Sequence, residues 1–202
     1  PLIYIERCSE RVEHKFFLKA ENNCLTLFID DEFLGSSESE RNLLDYFAGR
    51  LRLKVAEFAV GKVFLHAGVV GWKGKALIFP GNSFSGKTTI VKELINKGAV
   101  YFSDEYAILD EHGINYPFPK TLSIRGIIDK YKQFEVDPKE FNAQIAEGAI
   151  PVGTIFLTEF EKEAEWNPVV LSQGLGVLEI LSHTIPIRHN PKFSLEVLNN
   201  IA

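Results

Sequence analysis

Apolar and polar residues alternate in short stretches over the first thirty positions: Leu2-Ile3-Tyr4-Ile5, Phe16-Phe17-Leu18 and Leu25-Thr26-Leu27-Phe28-Ile29. Runs of this kind predict short strands. The period changes at Ser36-Ser37-Glu38-Ser39-Glu40, where Ser37 and Glu40 have the spacing of a reciprocal N-terminal cap. A helix is expected from there, with Leu43, Leu44, Phe47, Ala48 and Leu51 on one face as core. Two longer apolar runs follow, Val63–Val70 and Ala76–Phe79, around the turn-like Gly71-Trp72-Lys73-Gly74-Lys75. This predicts a β-hairpin. A helical segment, Thr88 to Lys97, carries Ile90, Val91, Leu94 and Ile95 and ends at Gly98 as a C-cap. Strands are expected at Ala99–Phe102 and Tyr106–Leu109, with a turn at Glu111-His112-Gly113. Further on, the patterns predict helices over Arg125–Gln133 and Pro138–Glu147 and a buried strand over Val152–Thr158. Two more helices are expected, over Leu171–Leu181 and Leu195–Ile201.

Composition narrows the class without naming a function. The 202 residues are 46% hydrophobic and 24% charged, as in globular chains, which excludes a disordered, collagenous or coiled-coil protein. The net charge of −5 comes with no basic block, so no nucleic-acid or membrane partner is expected. No apolar run approaches the length of about 18 residues that a membrane span needs. The first residues show neither a basic region nor an apolar core of the signal-peptide kind, and the two cysteines, Cys8 and Cys24, make no disulfide framework or zinc site. Reduced structural thiols and a cytoplasmic location are the expectation.

One motif carries chemistry. Gly81-Asn82-Ser83-Phe84-Ser85-Gly86-Lys87-Thr88 fits the phosphate-binding pattern G-x-x-x-x-G-K-[ST], with an apolar strand before it and a helix after it. Glycines let the backbone curl so that amides point at phosphate oxygens, and the helix N-terminus favours an anion. Residues 81–88 and the adjoining Thr89 are therefore the candidate nucleotide-binding set. Lys87 is expected at the β- and γ-phosphates, and the Thr88 hydroxyl at Mg²⁺. Asp104 and Glu105 close the strand after the loop helix. Two acids there can divide the work, one handling the acceptor proton and one serving the metal. His66, on the first hairpin strand, lies near the strand that feeds the loop and is a candidate for proton transfer or phosphate contact. His14, His112, His183 and His189 are expected to be surface or structural.

The stretch from His66 to Glu105 resembles HPr kinase/phosphorylase and, more distantly, ATP-dependent phosphoenolpyruvate carboxykinase. Leu65-His66-Ala67-Gly68-Val69-Val70 leads to Gly81 as the family's H-G-V-L-V strand leads to its loop, and Gly98-Ala99-Val100-Tyr101-Phe102-Ser103-Asp104-Glu105 keeps the spacing of its A-D-D segment. Leu122-Ser123-Ile124-Arg125-Gly126-Ile127-Ile128 keeps the Ile-Arg-Gly core of a second family stretch, with Ser123 in place of Glu. Pro117-Phe118-Pro119-Lys120 is familiar in the broader group of HPr-kinase-related proteins. The resemblance implies an α/β fold with a mainly β core around the loop helix, residues 61–202 forming the kinase-like domain and residues 1–60 a small α+β segment packed on it. It also implies His66 in the active site, Asp104 as the proton-transfer acid, Glu105 and Thr88 on the metal side, and Lys87 and Arg125 on the transferring phosphoryl. ATP with Mg²⁺, a hydroxyl acceptor on a protein or small molecule, and a homo-oligomer are its further implications. The expected activity is that of an ATP-dependent serine-kinase-like phosphotransferase. The alternative is a non-catalytic nucleotide-sensing module, for which a proton-accepting acid would be superfluous. A carboxykinase proper needs a much longer, two-domain chain.

Overall fold

The computed structural model describes residues 2–7, 10–21, 24–82, 85–125, 133–159, 162–163 and 165–202; side chains before His14, and those of Arg125 and Gln133, lie outside this description. The chain divides into two compact units, 1–61 and 62–202.

In the first unit, β1 (Leu2–Arg7), β2 (Glu10–Glu21), β3 (Cys24–Ile29) and β4 (Glu32–Ser37) form an antiparallel sheet in chain order. Helix α1 (Glu40–Phe58) follows. Phe16, Leu27, Ile29, Leu34 and Leu43 form the buried cluster, with Leu25, Phe47 and Leu51 packed against it. Strand β4 was not expected, and it moves the helix start. Ser37 still belongs to the strand and its Oγ accepts Ser39 N–H, while Ser39 is the true N-cap, accepting Asn42 N–H. The helical stripe is narrower than expected: Leu44 is 55% exposed, because it lies about 100° around the helix from Leu43. Cys24 is a free thiol, and Cys8 lies outside the described residues.

The second unit is organised by β5 (Val63–Trp72), which is buried along almost its whole length. It turns through Lys73 and Gly74, both at positive φ, into β6 (Lys75–Pro80). The turn is only two residues long, with Gly71 and Trp72 paired to Ala76 and Lys75, because the mirror-image two-residue turn matches the strand twist. After helix α2 (Lys87–Asn96), β7 (Val100–Ser103) and β8 (Tyr106–Leu109) both pair antiparallel with β5. They act as one long partner strand broken at Asp104-Glu105. The chain continues through β9 (Ile114–Tyr116), β10 (Leu122–Arg125), β11 (Gln133–Val136) and β12 (Ile150–Ile155). Strand β12 runs parallel to β6 and antiparallel to β9, and β9 pairs with β8. The pairings β5–β6–β12–β9–β8–β5 therefore close into a ring. Helices α3 (Gln173–Leu181) and α4 (Pro191–Ile201) complete the unit.

Alternation along β5 serves two cores. Val63, Leu65, Ala67 and Val69 join Ile180, Val197 and Leu198 of α3 and α4. Val70 joins Val91 and Ile95 of α2, together with Phe79, Tyr101 and Leu122. A mainly β core in a mixed α/β chain is thus present, with four α-helices among the described residues. None of these helices is long and apolar enough to cross a membrane.

Three expectations in the later third need correction. Arg125 and Gln133 are the ends of the paired strands β10 and β11 rather than parts of a helix, and residues 126–132 lie outside the described residues. Only Pro138–Phe141 is helical in the Pro138–Glu147 segment, as one 3-10 turn capped by Asp137 and ended by Asn142 at positive φ. Strand β12 is not buried: Ile150, Val152 and Ile155 pack inward while Pro151, Gly153 and Thr154 are exposed.

Candidate active site

Strand β6 runs out of the sheet at Gly81, whose N–H donates to His66 O at 3.3 Å. A Cβ on Gly81 would collide with Ser85 Oγ, so the close curl of the loop requires glycine. Gly86, at φ 89, is the N-cap of α2 and provides no side-chain cap. No side chain caps the first amides of α2. Lys87 is buried, and its Nζ donates to Gly81 O and Asn82 O, both at 2.7 Å. Ser85 Oγ is buried without a hydrogen-bond partner. Thr89 is exposed on α2, and Ser83 and Phe84 lie outside the described residues.

The two acids sit where the long partner of β5 breaks. Ser103 Oγ accepts Glu105 N–H at 3.1 Å and Tyr106 N–H at 3.0 Å, which turns the chain, and Glu105 O then accepts Ala67 N–H at 3.1 Å to resume the ladder. Gly68 lies in the strand segment facing the break. A Cβ there would lie 2.7 Å from Val91 Cγ2, so glycine lets α2 lie close against β5. That approach brings Thr88 to Asp104: Thr88 Oγ1 donates to Asp104 Oδ2 at 2.8 Å. Ser123 N–H of β10 also reaches Oδ2, at 3.4 Å. Asp104 Oδ1 is buried with no partner. Burial pushes the Asp104 carboxyl up from 3.8 to about 6, against the opposing pull of the Thr88 and Ser123 bonds and of Lys120 and Lys87. Glu105 forms an ion pair with Lys120 at 3.3 Å.

His66 links the loop to the rest of the site. Its carbonyl takes the Gly81 amide, and its own N–H donates to His183 O at 2.8 Å. Burial, then the charge of Lys87, lowers the His66 imidazole from 6.5 to about 4, partly countered by Glu105. His183, expected to be a surface or structural residue, lies at this junction, and burial and Lys87 lower its pKa as well. Lys87, Thr88, Asp104, Glu105 and His66 are therefore brought together as the sequence suggested. Arg125 ends β10, whose Ser123 touches Asp104, but its side chain is outside the described residues. The residues the sequence reading missed are His183 and Lys120. Lys120 had one usable signal, its place behind the Pro117-Phe118-Pro119 break; His183 had none in its own neighbourhood.

A cleft of about 500 Å³ opens elsewhere, lined among others by Trp72, Gly98, Val100, Phe102, Ile145 and Ile150. It adjoins the C-terminal end of α2, roughly 15 Å from the loop by the helix rise, and none of the candidate residues line it. Among the described residues no group of three or more His, Cys, Asp or Glu is placed to hold a metal ion. Mg²⁺ in phosphoryl-transfer sites takes one or two protein ligands and completes its shell from phosphate and water. The Thr88 hydroxyl, already on Asp104, and the neighbouring Glu105 carboxylate fit that sparse demand. No family model, no curated protein and no solved structure matches the chain.

Proposed function

We propose that this chain is an ATP-dependent phosphotransferase of the HPr-kinase-related kind, moving the γ-phosphoryl group of ATP to a hydroxyl on a protein or small molecule. The observation that carries the reading is the placement of Asp104 against the loop helix, with Oδ2 held by Thr88 and Oδ1 buried and partnerless. A carboxylate with a pKa near 6 is suited to accept a hydroxyl proton at neutral pH. Asp104 takes the acceptor proton on Oδ1 while Thr88 keeps the carboxylate oriented. Lys87 exchanges the Gly81 and Asn82 carbonyls for phosphate oxygens. The loop amides and the open N-terminus of α2 bind the same phosphates. Thr88 and Glu105 are the metal-side residues, Glu105 exchanging its pairing with Lys120. The chemistry that a bound Mg²⁺ would supply there is neutralisation of phosphate charge. Arg125 is assigned to the transferring phosphoryl from the resemblance alone. Positioning and electrostatics, rather than a covalent intermediate, supply the rate.

The test is transfer of label from γ-labelled ATP·Mg²⁺ into a lysate of the source cells, with wild type beside Asp104→Asn and Lys87→Ala. Wild type labels a component that Asp104→Asn does not, although Asp104→Asn still binds ATP. Lys87→Ala loses both. Lys87-dependent ATP binding without any transfer would point to a nucleotide-sensing module instead. Absence of binding as well would overturn the reading of the loop.

A further inference from the structure

His183 has no part in the reading above, yet its place is closely determined. Strand β6 pairs with β5 only as far as Ala67 and Pro80. Beyond that point the vacated edge of β5 is taken by the turn after α3: His66 N–H donates to His183 O, and Leu65 pairs with Thr184 in an antiparallel bridge. His183 N–H and Thr184 N–H bond back to Ile180 O and Leu181 O, and Thr184 Oγ1 adds a bond of 3.0 Å to Ile180 O. His183 and Gly81 thus approach one residue, His66, from the two directions along a single strand edge. The His183 side chain presents a buried Nδ1 with no hydrogen-bond partner. Buried polar atoms left in this state are uncommon, and a ligand is one way to satisfy them. Ser85 Oγ and Asp104 Oδ1, from the other segments of the site, are in the same condition.

We infer that His183 is a substrate-contacting residue of this site, its Nδ1–H donating to an oxygen of the terminal phosphate held by the loop and Lys87. The inference rests on the phosphotransferase reading and adds to it a third chain segment that recognises a terminal phosphate. Burial, then the charge of Lys87, disfavours protonation of the imidazole, whose neutral form can still donate a hydrogen bond. The γ-phosphate of ATP and a free phosphate ion beside ADP have the same chemistry, and the experiment separates them.

The experiment uses the full chain with ¹⁵N-labelled histidine, titrated with ADP, with a non-hydrolysable ATP analogue as its Mg²⁺ complex, and with inorganic phosphate after ADP saturation. The His183 ring resonances stay in place with ADP and move with the analogue. Movement with inorganic phosphate as well would extend the contact to the free ion. His183→Ala weakens the analogue about tenfold, as expected for one lost hydrogen bond to a charged group. It leaves ADP affinity within about twofold, since ADP lacks the terminal phosphate that this bond would reach. His183→Asn, whose side-chain N–H lies near the Nδ1 position, restores most of the loss. Unmoved His183 resonances together with wild-type analogue affinity in His183→Ala overturn this inference alone. A chain that binds neither nucleotide overturns the reading of the loop and this inference together.

Discussion

Asp104 precedes strand β8 and Asp110 follows it, and burial acts on both carboxylates. Asp110 is fully employed. Its Oδ1 accepts His112 N–H and Ile114 N–H, both at 3.0 Å, its Oδ2 accepts Tyr116 OH at 2.8 Å, and Lys62 lies 3.6 Å away. Burial pushes its pKa up, but the Ile114, Tyr116 and His112 bonds and the Lys62 charge outweigh that and hold it below the ordinary value. Asp104 has one strong bond, one long one and a buried oxygen with none, and its pKa rises. Asp110 builds a turn, and Asp104 keeps an unmet capacity for a proton or a ligand. Burial alone does not set the direction of a carboxylate's shift; the donors it accepts from decide it.

The largest effect that would break this contrast is on transfer. Asp104→Asn should lower labelled-phosphoryl transfer by roughly 10²–10⁴-fold, the usual contribution of a general base, with nucleotide binding retained. Asp110→Asn should leave transfer within about twofold, because Asp110 belongs to a turn outside the site. Equal losses in the two variants would erase the distinction.

Stability should rank them the other way. Asp110→Ala strands two amide donors and the Tyr116 hydroxyl, and should cost about 3 kcal/mol in urea unfolding at pH 7. A loss no greater than that of an ordinary surface substitution would show that the turn does not depend on its acid.

The pH dependence sharpens the comparison, because the signs differ. The folded pKa of Asp104, about 6, stands above its ordinary 3.8, so this group favours folding fully below about pH 4 and loses that contribution as pH rises through 6. Asp104→Asn, measured without nucleotide or Mg²⁺, should gain on wild type between pH 4 and 6, reaching about 2 kcal/mol after allowance for residual exposure. Asp110 has its pKa lowered, so its contribution is complete above about pH 4 and is lost as pH falls through its folded value. The deficit of Asp110→Ala should therefore shrink only in acid. Parallel pH curves for the two variants would contradict both assignments.

The smallest effect isolates one bond. Tyr116→Phe removes only the hydroxyl on Asp110 Oδ2 and should cost about 1 kcal/mol, with no change in transfer. A double-mutant cycle with Asp110→Ala would measure that coupling.

Much of this site was legible because its core is local in sequence. Strand, glycine loop and helix follow one another between Ala76 and Asn96, and the acidic pair comes one strand later. Local periodicity also found the β5–β6 hairpin and helices α1, α3 and α4. It failed where long-range pairing decides the conformation. Arg125 and Gln133, expected as the ends of a helix, pair with each other at the ends of β10 and β11, and the residues between them lie outside the described residues. Strand β9 is three residues long and exists through its neighbours β8 and β12. His183 reaches His66 only because β6 leaves an edge of β5 open, and nothing within ten residues of His183 signals that. The pKa contrast between Asp104 and Asp110 was equally invisible, since both read as acids at strand ends.

Lys87 adds a consequence of its own. Its ammonium group holds Gly81 O and Asn82 O, two backbone oxygens that a phosphate, on the proposed reading, would have to replace. On that reading Lys87 is already held in place before a phosphate arrives, which would favour affinity through preorganisation. Arrival of the ligand becomes an exchange, in which one ammonium group changes partners and two carbonyls turn to solvent or to other donors. The enthalpy of phosphate binding should therefore be modest for so charged a contact, and selection falls to anions that can draw the lysine away from its own backbone.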